Sequence, residues 1–266
     1  MGTVIFPTLA ALSEIGDEDG KRTAMSGALR FILIASIPAA VGLIFVGRPI
    51  ISLLERGAFD ASASALVYST LQFFALGLIV HSALEVIARS FYADKDTLTP
   101  LWAALGGATI NLILSFVLSD VARVESNLFY NRIAAPMIPG YMPDVGNVGG
   151  LALANSMGVL FEVGFLLVIL RRRWHGINDN TLASTVAKTT IASLIMAAAI
   201  VLTNTAWTLM GLGSDSLIFT VAQVGIETGI GILVFAVSAY LLRMEELTMM
   251  WQLIRFRKPR KALLPT

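Results

Sequence analysis

Seven apolar stretches, separated by polar or charged joints, organise this chain. Six of them, Met25–Val46, Ala65–Ala88, Leu101–Leu118, Asn147–Leu170, Leu182–Leu209 and Leu217–Leu242, are of a length to cross a bilayer core of about 30 Å at about 1.5 Å per helical residue. The first stretch, Met1–Leu12, is too short to span and lacks the charged leader of a signal peptide. It reads as the end of a truncated membrane helix. The pattern therefore predicts an all-α, polytopic membrane helix bundle of about six transmembrane helices plus the end of a preceding one.

The joints refine this reading. Residues 13–23 form a polar loop, acidic first and then basic at Lys21 and Arg22. Pro38 would kink the first full span. Arg48–Ala63 reads as a short interfacial helix followed by a turn at Gly57. The stretch Phe91–Pro100 is a tight turn between two spans: Asp94, Asp96, Thr97 and Thr99 offer oxygens for capping, and Pro100 suits a first helical turn. Residues 119–146 form a polar insertion outside the cytoplasm, and residues 243–266 a basic cytoplasmic tail. Two groups of spans follow, residues 25–174 and the closing pair, residues 182–242. Lys21, Arg22, Lys95, Arg171–Arg173 and the basic tail all fall on alternate joints, so the positive-inside rule puts the Phe91–Pro100 turn and the C-terminus in the cytoplasm.

Composition agrees: of 266 residues 56% are hydrophobic and 14% charged, against about 25% charged in a soluble domain. A net charge of +1 argues against nucleic-acid binding. The chain has no cysteine, which excludes disulfides and thiolate metal sites. His81 and His175 are too far apart in sequence to suggest a metal pair. Glycine-loop, nucleophile-elbow and zinc-protease motifs are missing, so no enzyme chemistry and no cofactor is expected.

The candidate chemistry lies in charges within spans, each costing about 2.5–3.5 kcal/mol at a helix centre on insertion scales. Glu85 and Arg89 stand four residues apart in the favourable order for an ion pair. Arg30 enters the first span from the same side. One reading has both arginines snorkelling to headgroups. The other makes them a basic mouth for a phosphate-bearing substrate, to which a planar guanidinium fork is suited. Glu162 and Glu227 are candidates for proton or sodium coupling. The plainer alternative is a hydrogen bond to a neighbouring helix, for Glu162 to Asn155 or Asn111, and for Glu227 this plainer reading is preferred.

A set of motifs then points to a family. Gly2-Thr3 with Pro7 and Leu9, Leu54 through Gly57 to Phe59, Phe91-Tyr92-Ala93 with Asp96, Thr99 and Pro100, and Gly150-Leu151-Ala152-Leu153-Ala154 with Ser156 together resemble the C-terminal half of the MurJ (MviN) lipid II flippases, of the multidrug, oligosaccharidyl-lipid and polysaccharide exporter superfamily. The resemblance implies the C-terminal lobe of a fourteen-helix exporter fold, with this chain supplying the end of the eighth helix and all of the ninth to fourteenth. It implies movement of an undecaprenyl-pyrophosphate-linked peptidoglycan precursor across the bacterial cytoplasmic membrane by alternating access, with the last two helices forming a groove for the lipid tail. Membrane lipids and an N-terminal lobe, fused upstream or separate, are the implied partners, and a coupling cation or the membrane potential the implied drive. Arg30 and Arg89 stand where the resemblance places basic residues. The departures are Glu162, where a neutral polar residue is expected, and the long insertion at 119–146. Two other readings remain: a drug or polysaccharide-lipid exporter of the same superfamily, and a non-transporting half-protein that docks with a separate N-terminal lobe.

Overall fold

The computed structural model describes residues 2–55, 59–118, 148–210 and 217–244. Their regular elements are seven helices: α1 (Gly2–Glu14), α2 (Glu18–Ser52), α3 (Ala61–Ala93), α4 (Leu98–Leu118), α5 (Val148–Arg173), α6 (Asp179–Leu209) and α7 (Leu217–Leu241). Helices α2 to α7 are each long and apolar enough to cross a membrane. The expected insertion at 119–146, the turn at Gly57 and most of the tail at 243–266 lie outside the described residues.

Helix α2 departs from expectation at both ends. It starts at Glu18, well before Met25, because Asp17 caps it by accepting the Gly20 N–H at 2.8 Å, with Glu18 and Asp19 favourably placed in its first turn. Lys21 and Arg22 are therefore helical, and the loop predicted over 13–23 shrinks to a short turn. At the other end the helix runs through Arg48 and the buried Pro49 to Ser52, so the interfacial helix predicted from Arg48 is the last turn of the span itself.

The turn after α3 is built as a stop and a start. The Asp96 N–H returns to the Phe91 carbonyl at 2.9 Å and Lys95 takes a left-handed φ of 60°, which closes α3. The Asp96 carboxylate then accepts the Thr99 N–H at 3.0 Å and the Thr99 hydroxyl at 2.7 Å, which opens α4, with Pro100 in its first turn.

One core holds α1 to α5 together. Met25, Leu29, Leu33 and Ile37 of α2 meet Val86, Ile87 and Phe91 of α3 and Leu166 and Leu170 of α5, with Leu9 of α1, Ala103 of α4, Trp174 and Ile177 completing it. Helices α4 and α5 cross at glycines: a Cβ on Gly158 would stand 2.6 Å from the Gly107 carbonyl oxygen. The Ser156 hydroxyl donates to the Phe73 carbonyl of α3 at 3.0 Å, a bond made possible by Gly77 beside it. Helix α6 packs on α2, and α7 packs on both, with Gly231 admitting Ile200 and Met196 of α6.

Candidate functional site

Helix α3 carries His81, Glu85 and Arg89 at successive turns of one face. His81 and Glu85 are exposed and Arg89 is half-buried, and the same face continues upward with exposed Leu78 and Phe74. Spacing by four residues aligns the three ionisable groups. The Arg89 guanidinium donates to the Glu85 carboxylate at 2.8 Å, so the two charges share one ion pair. His81 Nε2 lies 3.1 Å from Asn155 Oδ1 of α5, which joins the stripe to its neighbour helix.

Glu162 lies two turns along α5 from Asn155 and is half-buried. The partners expected for it are engaged elsewhere: Asn155 with His81, and Asn111 with the Ser115 hydroxyl at 3.2 Å. Among the described residues Glu162 makes no hydrogen bond or ion pair, and His81 is the ionisable group that bears on it. His81, too far from His175 in sequence to suggest a metal pair, is thus the side chain that joins the ionisable stripe of α3 to α5. Its four-residue spacing from Glu85 was the available signal.

Arg30 is one turn before Ile34, and Ile34 packs against Ala239 and Met244 at the end of α7. Arg30 stands on α2 and Arg89 on α3, two helices that pack against each other. Glu227 is fully buried and accepts from Gln223 of its own helix at 2.8 Å, in place of the expected bond to a neighbouring helix. No three of His, Asp and Glu converge as metal ligands among the described residues.

At the Lys/Arg-rich end the α3–α4 turn does more than cap. Asp94 binds Lys21 of α2 at 2.8 Å and accepts the Ser13 hydroxyl of α1 at 2.7 Å. Asp96 binds Arg173 of α5 at 2.6 Å. Each cation also lies over a ring, Lys21 at 5.6 Å from Trp174 and Arg173 at 5.3 Å from Phe91. Burial works to raise the Asp96 carboxyl, but the Thr99 N–H and hydroxyl and the Arg173 guanidinium outweigh it and hold it below the usual carboxylate range. Sequence reasoning assigned both aspartates to capping alone. The missed signal was that they share an end with Lys21 and Arg171–Arg173.

The second feature is an apolar groove of about 520 Å³ between α2, α6 and α7. Pro38, Gly42 and Val46 line one wall, Met196 and Ile200 the floor, and Gly231 and Phe235 the other wall. Gly42 has no neighbouring atom within 4 Å of where a Cβ would sit, so the missing side chain widens the groove. A hydrocarbon chain is the chemistry such a surface matches.

Comparison with known proteins gives these two features a context. The family model described as "Lipid II flippase MurJ" matches residues 1–222. A protein of Rhizobium tropici described as "Probable lipid II flippase MurJ" is 28% identical over 264 residues, 98% of this chain and 45% of that protein. "Lipid II flippase MurJ" of Thermosipho africanus is 36% identical over a shorter 94 residues, covering 35% of this chain and 20% of that protein. A solved structure, "Lipid II flippase MurJ, inward closed conformation", superposes with a TM-score of 0.65 at 25% identity, covering 92% of this chain and 43% of that one. The chain thus spans a little under half the length of the relatives it matches most fully. Six apolar helices in this arrangement make it a multi-pass membrane protein. On the match over most of its length, the chain belongs to the lipid II flippase MurJ family.

Proposed function

We propose that this chain is the C-terminal lobe of a flippase that moves a lipid-linked peptidoglycan precursor across the cytoplasmic membrane. The observation that carries this reading is the His81–Glu85–Arg89 stripe. Ionisable side chains on the outward face of a membrane helix are costly against lipid, so that face lines a water-filled cavity or meets another part of the transporter. Asn155 and Glu162 of α5 extend the same wall. The apolar groove of α2, α6 and α7 supplies the complement, a surface for the polyprenyl tail. An amphiphile with an anionic head and a long hydrocarbon tail needs both.

In this mechanism Arg89, restrained by Glu85, draws the pyrophosphate into the cavity while the tail follows the groove. Arg30 of α2 joins Arg89 in drawing the headgroup into the inward-open mouth. Glu162 biases the equilibrium between inward- and outward-facing forms through a proton or cation, or the membrane potential acts in its place. The N-terminal lobe closes the cavity, and the basic end with the C-terminus faces the cytoplasm. No cofactor takes part.

The test is complementation of a flippase-depleted strain by the full-length protein. Arg89→Gln is expected to abolish rescue and to accumulate the lipid-linked precursor, while Arg30→Gln weakens rescue without abolishing it. Full rescue by Arg89→Gln at normal expression would remove the arginine from the substrate path. Altered drug sensitivity without precursor accumulation would instead favour a drug exporter of the same superfamily.

A further inference from the structure

Glu227 is the one ionisable side chain among the described residues with no exposed surface at all. One carboxylate oxygen accepts from Gln223 Nε2 at 2.8 Å, and the other, Oε2, has no hydrogen-bond partner among the described residues. One turn to either side of it on the same face of α7, along the seam of the three helices, Val224 packs against the cluster of Val46 of α2 with Met196 and Ile200 of α6, and Gly231 meets Ile200 and Met196.

The elements packed against α7 are α6 and α2, and their charges lie away from it. On α7 itself the other titratable group is Tyr240, exposed near the far end. On α6, Asp179 is paired with Arg171. Lys188 stands about 18 Å along the helix from Ile200, on the side away from Glu227. On α2, Glu18, Asp19, Lys21 and Arg22 sit at the opposite end of the helix, and Arg30 is one turn before Ile34, which packs on Ala239, about 18 Å along α7 from Glu227. Arg48 is exposed, and its charge bears on Tyr68 of α3. No cation among the described residues compensates Glu227.

A bare carboxylate in such a place is strongly disfavoured, and a proton removes the charge without asking for further ligands. A hard metal cation would collect about six oxygens, whereas among the described residues no group of three His, Asp or Glu gathers around Glu227 or anywhere else. Gly231, one turn on from Glu227 and on the same helix face, lines the groove together with Thr228 and Ile232. The seating of Glu227 against α6 therefore fixes the position of one groove wall.

We propose that Glu227 is a proton-binding site of the α6–α7 hairpin, and that its protonation seats α7 against α6 and α2 and so holds the groove in the form seen here. When the proton leaves to solvent water, the carboxylate recruits water into the seam and α7 loosens, which opens the groove. The biological use of this device rests on the groove's assignment to a lipid tail; the following test reads helix seating and not transport, so either idea can fail without the other.

This chain contains no cysteine, so single reporters can be placed in a cysteine-free form of the full-length protein. Val46→Cys reports on the seam, and Leu202→Cys, on the exposed side of α6, serves as the reference for intrinsic maleimide reactivity. The seam-to-reference labelling ratio is expected to rise with pH by up to about tenfold per unit, the limit for release of one proton, and to be flat in Glu227→Gln. The same rise in Glu227→Gln, or a flat ratio in the unsubstituted protein, overturns the proposal. Replacing sodium with choline at fixed pH is expected to change nothing, and a ratio that follows sodium and not pH overturns the proton in favour of a metal cation. If Glu227→Gln does not fold, the infrared spectrum of the protein with isotope-labelled glutamate decides. A protonated-carboxyl band at neutral pH that persists in Glu162→Gln supports the site, and its absence overturns it.

Discussion

The two ends of the α2 helix belong to differently built regions. Near its start α2 sits in the α1–α5 block, where the aromatic and aliphatic core is closed at the basic end by Asp94 and Asp96, each holding a cation from another helix. Further along, α2 meets the α6–α7 hairpin across an open apolar groove, with a lone carboxylate behind it. Both regions use small residues, but in the block they bring backbones into contact, as at Gly107 and Gly158, whereas Gly225 and Gly229 of α7 have no neighbours at Cβ distance. The block is a clamped unit, and the hairpin is a wall with room to move. In the flippase proposed above that division would be useful: rigid elements would present the headgroup chemistry, and looser ones would adapt to a long tail.

The largest expected effect breaks the clamp. Asp94→Ala leaves Lys21, which is only 7% exposed, without its carboxylate, and removal of one member of a buried pair costs about 3 kcal/mol or more. The unfolding midpoint in detergent is expected to fall accordingly. The double variant Lys21→Met, Asp94→Ala is expected to recover most of that loss, because no charge is then left buried. If the single and double variants are equally destabilised, the pair is not what holds α1 and α2 to the turn.

Next in size is the contrast between the two kinds of glycine. Gly158→Ala would put a methyl group 2.6 Å from the Gly107 carbonyl oxygen and 3.0 Å from the Asn111 Cβ, and a backbone carbonyl cannot rotate away. The helices must separate, at about 2 kcal/mol. Gly225→Ala meets nothing within 4 Å and gains helix propensity, so it is expected to be neutral or to stabilise by up to about 1 kcal/mol. Opposite signs in one thermal-unfolding series would confirm that Gly158 is a backbone-to-backbone contact and that Gly225 faces open surroundings. Equal losses would mean that Gly225 is covered as closely as Gly158.

Much of this architecture is legible from hydrophobic periodicity, since the six spans and the turn at Phe91–Pro100 follow from run length and turn chemistry alone. The boundaries of α2 were not, because Lys21 and Arg22 look like loop residues until Asp17 is recognised as the cap, and Arg48 and Pro49 look like an interface until the helix is seen to run through them. The site was legible in part. The Glu85–Arg89 pair follows from spacing within one helix, whereas the Asp94–Lys21, Asp96–Arg173 and His81–Asn155 contacts join residues more than seventy positions apart. Such contacts depend on which helices are neighbours, which a single sequence does not state. The burial of Glu227 is of the same kind: periodicity marks its helix but not the face that α6 and α2 cover.

The smallest effect separates the two regions by pH. Asp96 is held below the usual carboxylate range by Thr99 and Arg173, so the folded protein binds its proton less readily than the unfolded chain. The resulting stabilisation is complete above the ordinary aspartate value of 3.8 and is lost as pH falls through the lower folded value. Asp96→Asn, which removes the charge but keeps the shape, is expected to cost about 1 kcal/mol at neutral pH, the scale of a helix cap. The gap between variant and parent is then expected to narrow below about pH 4, where the parent loses the same charge. The hairpin should not respond in that window, because the proton proposed for Glu227 is already in place and acid only keeps it there. A reporter at the α3–α4 turn that loosens in acid, while one at Val46 does not, would show that the clamp and the groove wall are governed by opposite protonation states. Loosening of both together would mean that the α1–α5 block and the hairpin respond as one unit.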